Sequence, residues 1–156
     1  SQDSKETKAE KLSVIALKTV DVKGIGFYTL GKKRKEITED EMDKYNTVFE
    51  SYFLKSFTTR LTDYSDPKIT VLSAEKINEK YTIVKSMLVK TDKKPEVKID
   101  WRVYTKNPEK PLIRDLIVEG LSLARTQKEE FSSILSSNNN DINQLINKLD
   151  EFVNKK

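Results

Sequence analysis

Residues 112–135 read LIRDLIVEGLSLARTQKEEFSSIL, and the apolar period changes inside them. Leu112, Ile113, Leu116, Ile117 and Val118 form a short strand-like run that stops at Gly120. From Leu121 the helical period takes over, with Leu123, Ala124, Gln127, Phe131, Ile134 and Leu135 on one side. A strand that turns at once into a covering helix is the junction of a layered α+β fold. The strand also carries three charges, Arg114, Asp115 and Glu119. They do chemistry, or they belong to the wall and rim of something hollow. Residues four apart on an extended strand share a face but lie about 13 Å apart, beyond the roughly 5–9.5 Å of paired glycosidase carboxylates. Asp115 and Glu119 therefore read as an ion-pair partner for Arg114 or a neighbouring lysine, and as a rim residue at the strand end.

Upstream of this junction the period is two. KITVLSAEKI, KYTIVKSMLVKT and EVKIDWRVYTK are strands of similar length, with turns at Asn78-Glu79 and Asp92-Lys93-Lys94-Pro95. Asn107-Pro108 leads to the fourth strand, LIRDLIVE. The third alternates cleanly: Val97, Ile99, Trp101 and Val103 point one way, and Lys98, Asp100 and Arg102 the other. Four consecutive strands with short turns imply an antiparallel meander.

Helices flank the sheet on both sides in sequence. Residues 1–11, SQDSKETKAEK, lack apolar periodicity and read as a frayed or disordered lead-in to a single domain over 12–156. Leu12 to Leu30 reads as one or two short helices, weakened in the middle by Gly24 and Gly26. Thr38 and Glu41 form a capping box. The helix it opens carries an aromatic stripe, Met42, Tyr45, Phe49, Tyr52, Phe53, Phe57 and Leu61, and ends near Asp63 to Asp66, ahead of Pro67. After the polar SSNNND, Ile142, Leu145, Ile146, Leu149, Phe152 and Val153 mark the last amphipathic helix.

Composition limits the chemistry. The chain has 156 residues, 36% hydrophobic, which is enough apolar content for one packed domain. It contains neither cysteine nor histidine, so thiolate nucleophiles, zinc sites of the usual type and imidazole catalysis are excluded. No stretch is apolar for long enough to cross a bilayer as a helix, and any export signal is expected to have been removed. Net charge is +4, with lysine greatly outnumbering arginine, which suits solubility or anionic surfaces better than base-specific reading. KKRK at 32–35 has no interleaved aromatics and precedes an acidic helix, so it reads as a solvated loop first and an anionic docking patch second. The apolar faces of the helices and the sheet either fill one another or surround a cavity, and residue patterns alone leave both open.

The stretch DLIVEGLSLARTQKEEFSSILSSNNNDINQLINKLDEF adds a family resemblance. It resembles the C-terminal signature of the MlaC family, the toluene-tolerance auxiliary proteins. That signature is a D-φ-x-φ-E-G strand (φ apolar), then φ-S, a T-x-(K/R)-x-(E/D)-(F/W) helix, a polar turn and an I-x-x-L-I-x-x-L helix. Asp115, Glu119, Gly120, Ser122, Thr126, Lys128, Glu130 and Phe131 match the first part, and Ile142, Leu145, Ile146 and Leu149 the second. Upstream, Leu30, Gly31, Thr38, Phe49, Phe57, Leu61 and Tyr64 sit where the family's L-G segment and long helix place such residues. The chain departs from the family at Lys33-Arg34, which replace an aromatic pair.

The resemblance implies a soluble periplasmic carrier of diacyl phospholipid with no enzymatic activity, no catalytic residue, no cofactor, no metal and no nucleic-acid partner. Its expected partners are an outer-membrane lipoprotein–porin complex and an inner-membrane ABC transporter bearing an MCE-domain ring, and its role is maintenance of outer-membrane lipid asymmetry. Acyl chains are expected in a pocket between sheet and helices. From the helices the expected lining is Val22, Ile25, Phe49, Phe53 and Phe57, and from the first two strands Val71, Ile83 and Met87. Ile99, Trp101, Val103, Leu116, Val118 and Leu121 complete it. The rival readings are a small α+β interaction module with a filled core and a basic docking surface, and, further off, an enzyme working through carboxylates alone.

Overall fold

The computed structural model describes residues 4–62, 68–90 and 95–155. Five helices and five strands follow one another in the expected helices–sheet–helices order. They are α1 (Lys5–Thr19), α2 (Val22–Thr29), α3 (Glu39–Thr62), β1 (Ile69–Lys76), β2 (Tyr81–Leu88), β3 (Val97–Tyr104), β4 (Leu112–Val118), β5 (Leu121–Ser122), α4 (Leu123–Ser137) and α5 (Ile142–Asn154). A short 3-10 turn, Gly31–Lys35, links α2 to α3.

The expected irregular lead-in is helical from Lys5. The Ser4 hydroxyl accepts from the Thr7 amide at 3.1 Å, and this cap lets the polar but helix-favouring KETKAEK run join the apolar residues behind it. The break between α1 and α2 falls at Val20-Asp21, not at the glycines. The Asp21 amide donates to the Ile113 carbonyl at 2.9 Å, so the backbone leaves the helix to hydrogen-bond with β4. Asp21 then caps α2, accepting from the Gly24 amide at 3.0 Å. Gly26 lies inside α2, where a Cβ would stand 2.7 Å from the Phe49 ring, so its role is close helix packing.

The capping box forms as expected: the Thr38 amide donates to Glu41 Oε1 at 3.0 Å and the Glu41 amide to Thr38 Oγ1 at 3.1 Å. The expected end of α3 near 63–67, Tyr64 and the Asp92-Lys93-Lys94 turn lie outside the described residues.

All neighbours in the sheet are antiparallel, in the order β1-β2-β3-β4-β5. The sheet has five strands where the sequence suggested four. Glu119 (φ 50°) and Gly120 (φ 82°) are the two positive-φ residues of a tight hairpin turn, which folds Leu121 and Ser122 back onto Val118 and Ile117. Two residues are too few to show a period.

The packed core is helical. Ala16, Val20, Val22, Leu30, Tyr45, Val48, Phe49, Phe131, Leu135, Ile142, Leu145 and Leu149 form one buried cluster. Phe131 meets Phe49 and Tyr45 edge-on, with centroids 6.2 and 6.5 Å apart. The buried Tyr45 hydroxyl shares a 2.6 Å hydrogen bond with Thr29 Oγ1, which itself donates to the Gly26 carbonyl at 2.6 Å. Tyr45 is therefore the donor of the pair. Burial pushes its phenol well above the ordinary tyrosine value. The last carbonyls of α5 are held from α3: the Lys55 ammonium donates to Phe152 O at 2.6 Å, to Val153 O at 3.3 Å and to Lys155 O.

Candidate lipid-binding face

Pairing register assigns each side chain to a face of the sheet. Thr82, Val84, Ser86 and Leu88 of β2 stand directly opposite Val103, Trp101, Ile99 and Val97 of β3, so these residues share one face. On β4, Val118 and Leu116 stand opposite Ile99 and Trp101, and beyond a bulge Ile113 stands opposite Val103. Apart from Thr82 and Ser86, the face named here is apolar across three strands. The other face carries Tyr81, Ile83, Lys85 and Met87 beside Tyr104, Arg102, Asp100 and Lys98.

Ile113 packs against the helical cluster, which fixes the apolar face as the one turned toward the helices. It is the only sheet residue among those described that does so. Close approach of helices to sheet is concentrated on β4, through α2 and α4. Ile99, Trp101, Val103, Leu116 and Val118 are all half-buried and stand outside the packed cluster. Apolar side chains thus face the helical layer without being sealed by it. Trp101 is fixed in place: its indole N–H donates to Ser86 Oγ at 2.8 Å, and the fully buried Ser86 donates to the Ile99 carbonyl at 2.7 Å.

The fourteen residues expected to line a pocket separate into groups. Ile99, Trp101, Val103, Leu116 and Val118 come together on the helix-facing side. Phe53, Phe57 and Ile25 are half-buried at the margin of the helical core, with Phe53 and Phe57 stacked at 5.8 Å. Val22 and Phe49 are instead filled core, 6% and 2% exposed, because α2 and α3 close on each other at Gly26. Ile83 and Met87 lie on the opposite face, across from Arg102 and Lys98. Val71, on the edge strand, is 63% exposed, and Leu121, beyond the hairpin turn, is 58% exposed. From β2 it is Val84, Ser86 and Leu88 that share the face of Trp101. The signal that could have found them is the buried hydrogen-bonding need of the Trp101 indole, which Ser86 alone meets from that strand. A separate groove of about 420 Å³ between α3 and α5, lined by Thr47, Val48, Ile146 and Val153 among others, touches none of these sheet residues.

The two charges of β4, Arg114 and Asp115, and Glu119 in the turn after it are structural, and each ties down a different element. Arg114 does not pair with Asp115. Its Nε donates to Asp21 Oδ2 at 3.0 Å and its Nη1 to the Tyr81 hydroxyl at 3.0 Å, so it joins the α2 cap to the sheet. Asp115 accepts from the Leu116 amide at 2.8 Å, the Ala124 amide at 3.0 Å and the Ser122 hydroxyl, and so anchors the start of α4. Glu119 Oε1 accepts from the Lys98 amide at 2.6 Å. Both carboxylates are engaged with backbone donors. Among the described residues no acidic cluster is arranged to hold a metal ion, and no helix is long and apolar enough to cross a membrane.

Comparison with known proteins agrees with this architecture. A solved phospholipid-binding protein from Ralstonia solanacearum, in complex with a phospholipid, superposes with a TM-score of 0.79 at 18% identity, covering 96% of this chain and 82% of its own. No curated protein matches. The family model described as MlaC protein matches residues 1–151, nearly the whole chain, and the chain therefore belongs to the MlaC family.

Proposed function

We propose that the chain is a non-enzymatic carrier of diacyl phospholipid, with the acyl chains held against the Trp101 face of the sheet and the head group left toward solvent. The observation that carries this reading is the set of half-buried apolar residues, Ile99, Trp101, Val103, Leu116 and Val118, turned toward the helices yet outside the packed core. Membership of the MlaC family and the likeness to a phospholipid-bound protein support it. Each methylene taken out of water contributes about 0.8 kcal/mol, so burial of a dozen contributes roughly 10 kcal/mol. Such a site needs apolar walls and few unpaired polar groups, and no activated nucleophile. The polar groups nearest the wall meet this condition, since the Trp101 indole and Ser86 satisfy each other and the Ile99 carbonyl.

In this reading the protein works in the periplasm. It passes lipid between an outer-membrane lipoprotein–porin complex and an inner-membrane ABC transporter with an MCE-domain ring, in support of outer-membrane lipid asymmetry. Solvent extraction and mass spectrometry of the purified chain test the binding. Diacyl phospholipid stoichiometric with the chain is expected. Absence of lipid, together with failure to load it from micelles, would favour a plain interaction module.

A further inference from the structure

At the C-terminal end of α2, the 3-10 turn gathers four successive cations, Lys32, Lys33, Arg34 and Lys35. Next to this turn the fold leaves two aromatic rings outside. Phe27 is 47% and Tyr28 40% exposed, on the last turn of α2. The Arg34 guanidinium stacks over the Phe27 ring at 5.1 Å while its Nη1 donates to the Gly31 carbonyl at 3.1 Å. From α4, Lys128 reaches across beside Gly31 and sets its ammonium 5.0 Å over the Tyr28 ring. None of these five cations forms an ion pair with a carboxylate among the described residues. Two of the acids that follow are engaged elsewhere, Glu41 with Thr38 and Asn143 and Asp40 with Lys44, while Glu36 and Glu39 are exposed and pair with none of the five cations.

Rings of this kind, exposed and flanked by lysine and arginine, match the interface of a bilayer. An aromatic body sits at the level of the head groups while the ammonium and guanidinium groups meet phosphates. An acidic protein surface would satisfy the charges but gives no reason for two large rings held outward between them. We propose that Phe27, Tyr28, the 32–35 turn and Lys128 form a docking patch for an anionic lipid bilayer surface. The patch is made of residues other than those of the Trp101 face, and the inference does not depend on what that face binds.

The test is cosedimentation of the full chain with vesicles of phosphatidylglycerol and phosphatidylcholine, and with vesicles of phosphatidylcholine alone, at low and high salt. Binding to the anionic vesicles is expected, lost on neutral ones and weakened by salt. Lys32→Gln with Lys35→Gln should lower the partition coefficient roughly 30-fold at low salt, at about fivefold for each charge near the surface. Phe27→Ser should weaken it at high salt as well, where the charges are screened. A control pair, Lys76→Gln at the end of β1 with Lys110→Gln in the turn before β4, should lose much less. Lys32, Lys35, Lys76 and Lys110 are all exposed, so both pairs should fold as the parent does. The proposal is overturned by absence of anionic-vesicle binding, by equal binding to neutral vesicles, or by equal losses in the two lysine pairs. Absence of binding at every lipid charge would leave an acidic protein as the patch's partner.

Discussion

Replacement of Trp101 by arginine separates an open apolar wall from a filled core. Trp101 is half-buried and lies outside the packed helical cluster. The substitution removes one hydrogen bond, from the indole to Ser86, but leaves no orphan, because Ser86 keeps the Ile99 carbonyl. That loss costs about 1 kcal/mol. Partial loss of apolar contact costs about 1–2 kcal/mol more, and the arginine stem can lie along the face with its head in solvent. The total, on the order of 2–3 kcal/mol, lowers Tm by about 5–10 °C for a domain of this size. The guanidinium also crosses the space assigned to the acyl chains. If it denies burial to about four methylenes, lipid affinity falls by roughly 200-fold. Thermal unfolding followed by circular dichroism, with lipid content measured on the same preparation, reads both numbers. A folded Trp101→Arg protein that retains its lipid would refute the siting of the chains. A chain that fails to fold would show Trp101 to be plain core, since a buried unpaired charge is among the few single changes that destabilise so severely.

Three further outcomes follow from the hydrogen bonds. Asp115→Ala should cost about 3 kcal/mol, since it strips the Ala124 amide and Ser122 hydroxyl of a charged acceptor, whereas Asp115→Asn keeps one acceptor and should cost about half; equal urea midpoints for the two variants would contradict this. Tyr45 has a raised phenol pKa, so its contribution is complete below the unfolded value of about 10 and is lost as pH rises from there toward the folded value. Stability should accordingly fall by up to about 1.4 kcal/mol per pH unit above pH 10, and Tyr45→Phe, costing about 1 kcal/mol at neutral pH, should remove that slope. Lys55→Met should speed amide exchange in the last turn of α5 by roughly fivefold, the loss of about 1 kcal/mol of capping, while α4 exchanges as before.

Much of this fold could be read from the chain, and the limits have physical causes. β3 alternates cleanly from Val97 to Val103, so both its faces can be read from the chain, Trp101 with them. The Thr38–Glu41 box is a local motif whose geometry depends on four residues. β2 is different, because YTIVKSML is apolar at both parities and its register is set only by pairing with β3. The chain alone therefore leaves either face of β2 free to point inward, and the pairing puts Val84 and Leu88, not Ile83 and Met87, on the helix-facing side. The aromatic stripe of α3 is continuous in sequence but divided in space. Its Tyr45–Phe49 half is sealed by Gly26 and Phe131, and its Phe53–Phe57 half is not. The partner of Arg114 stands 93 residues away at Asp21, a pairing that no local pattern announces.

Acyl chains that lie against the sheet beside Trp101 should be visible to its indole. Trp101 is the only tryptophan in the chain, so its fluorescence reports on that face alone. Delipidated protein loaded with phosphatidylcholine should show Trp101 emission shifted to the blue. The same lipid with brominated acyl chains should quench it strongly, because bromine acts at near contact. Lipid that binds in stoichiometric amount while leaving Trp101 emission unshifted and unquenched would contradict the account.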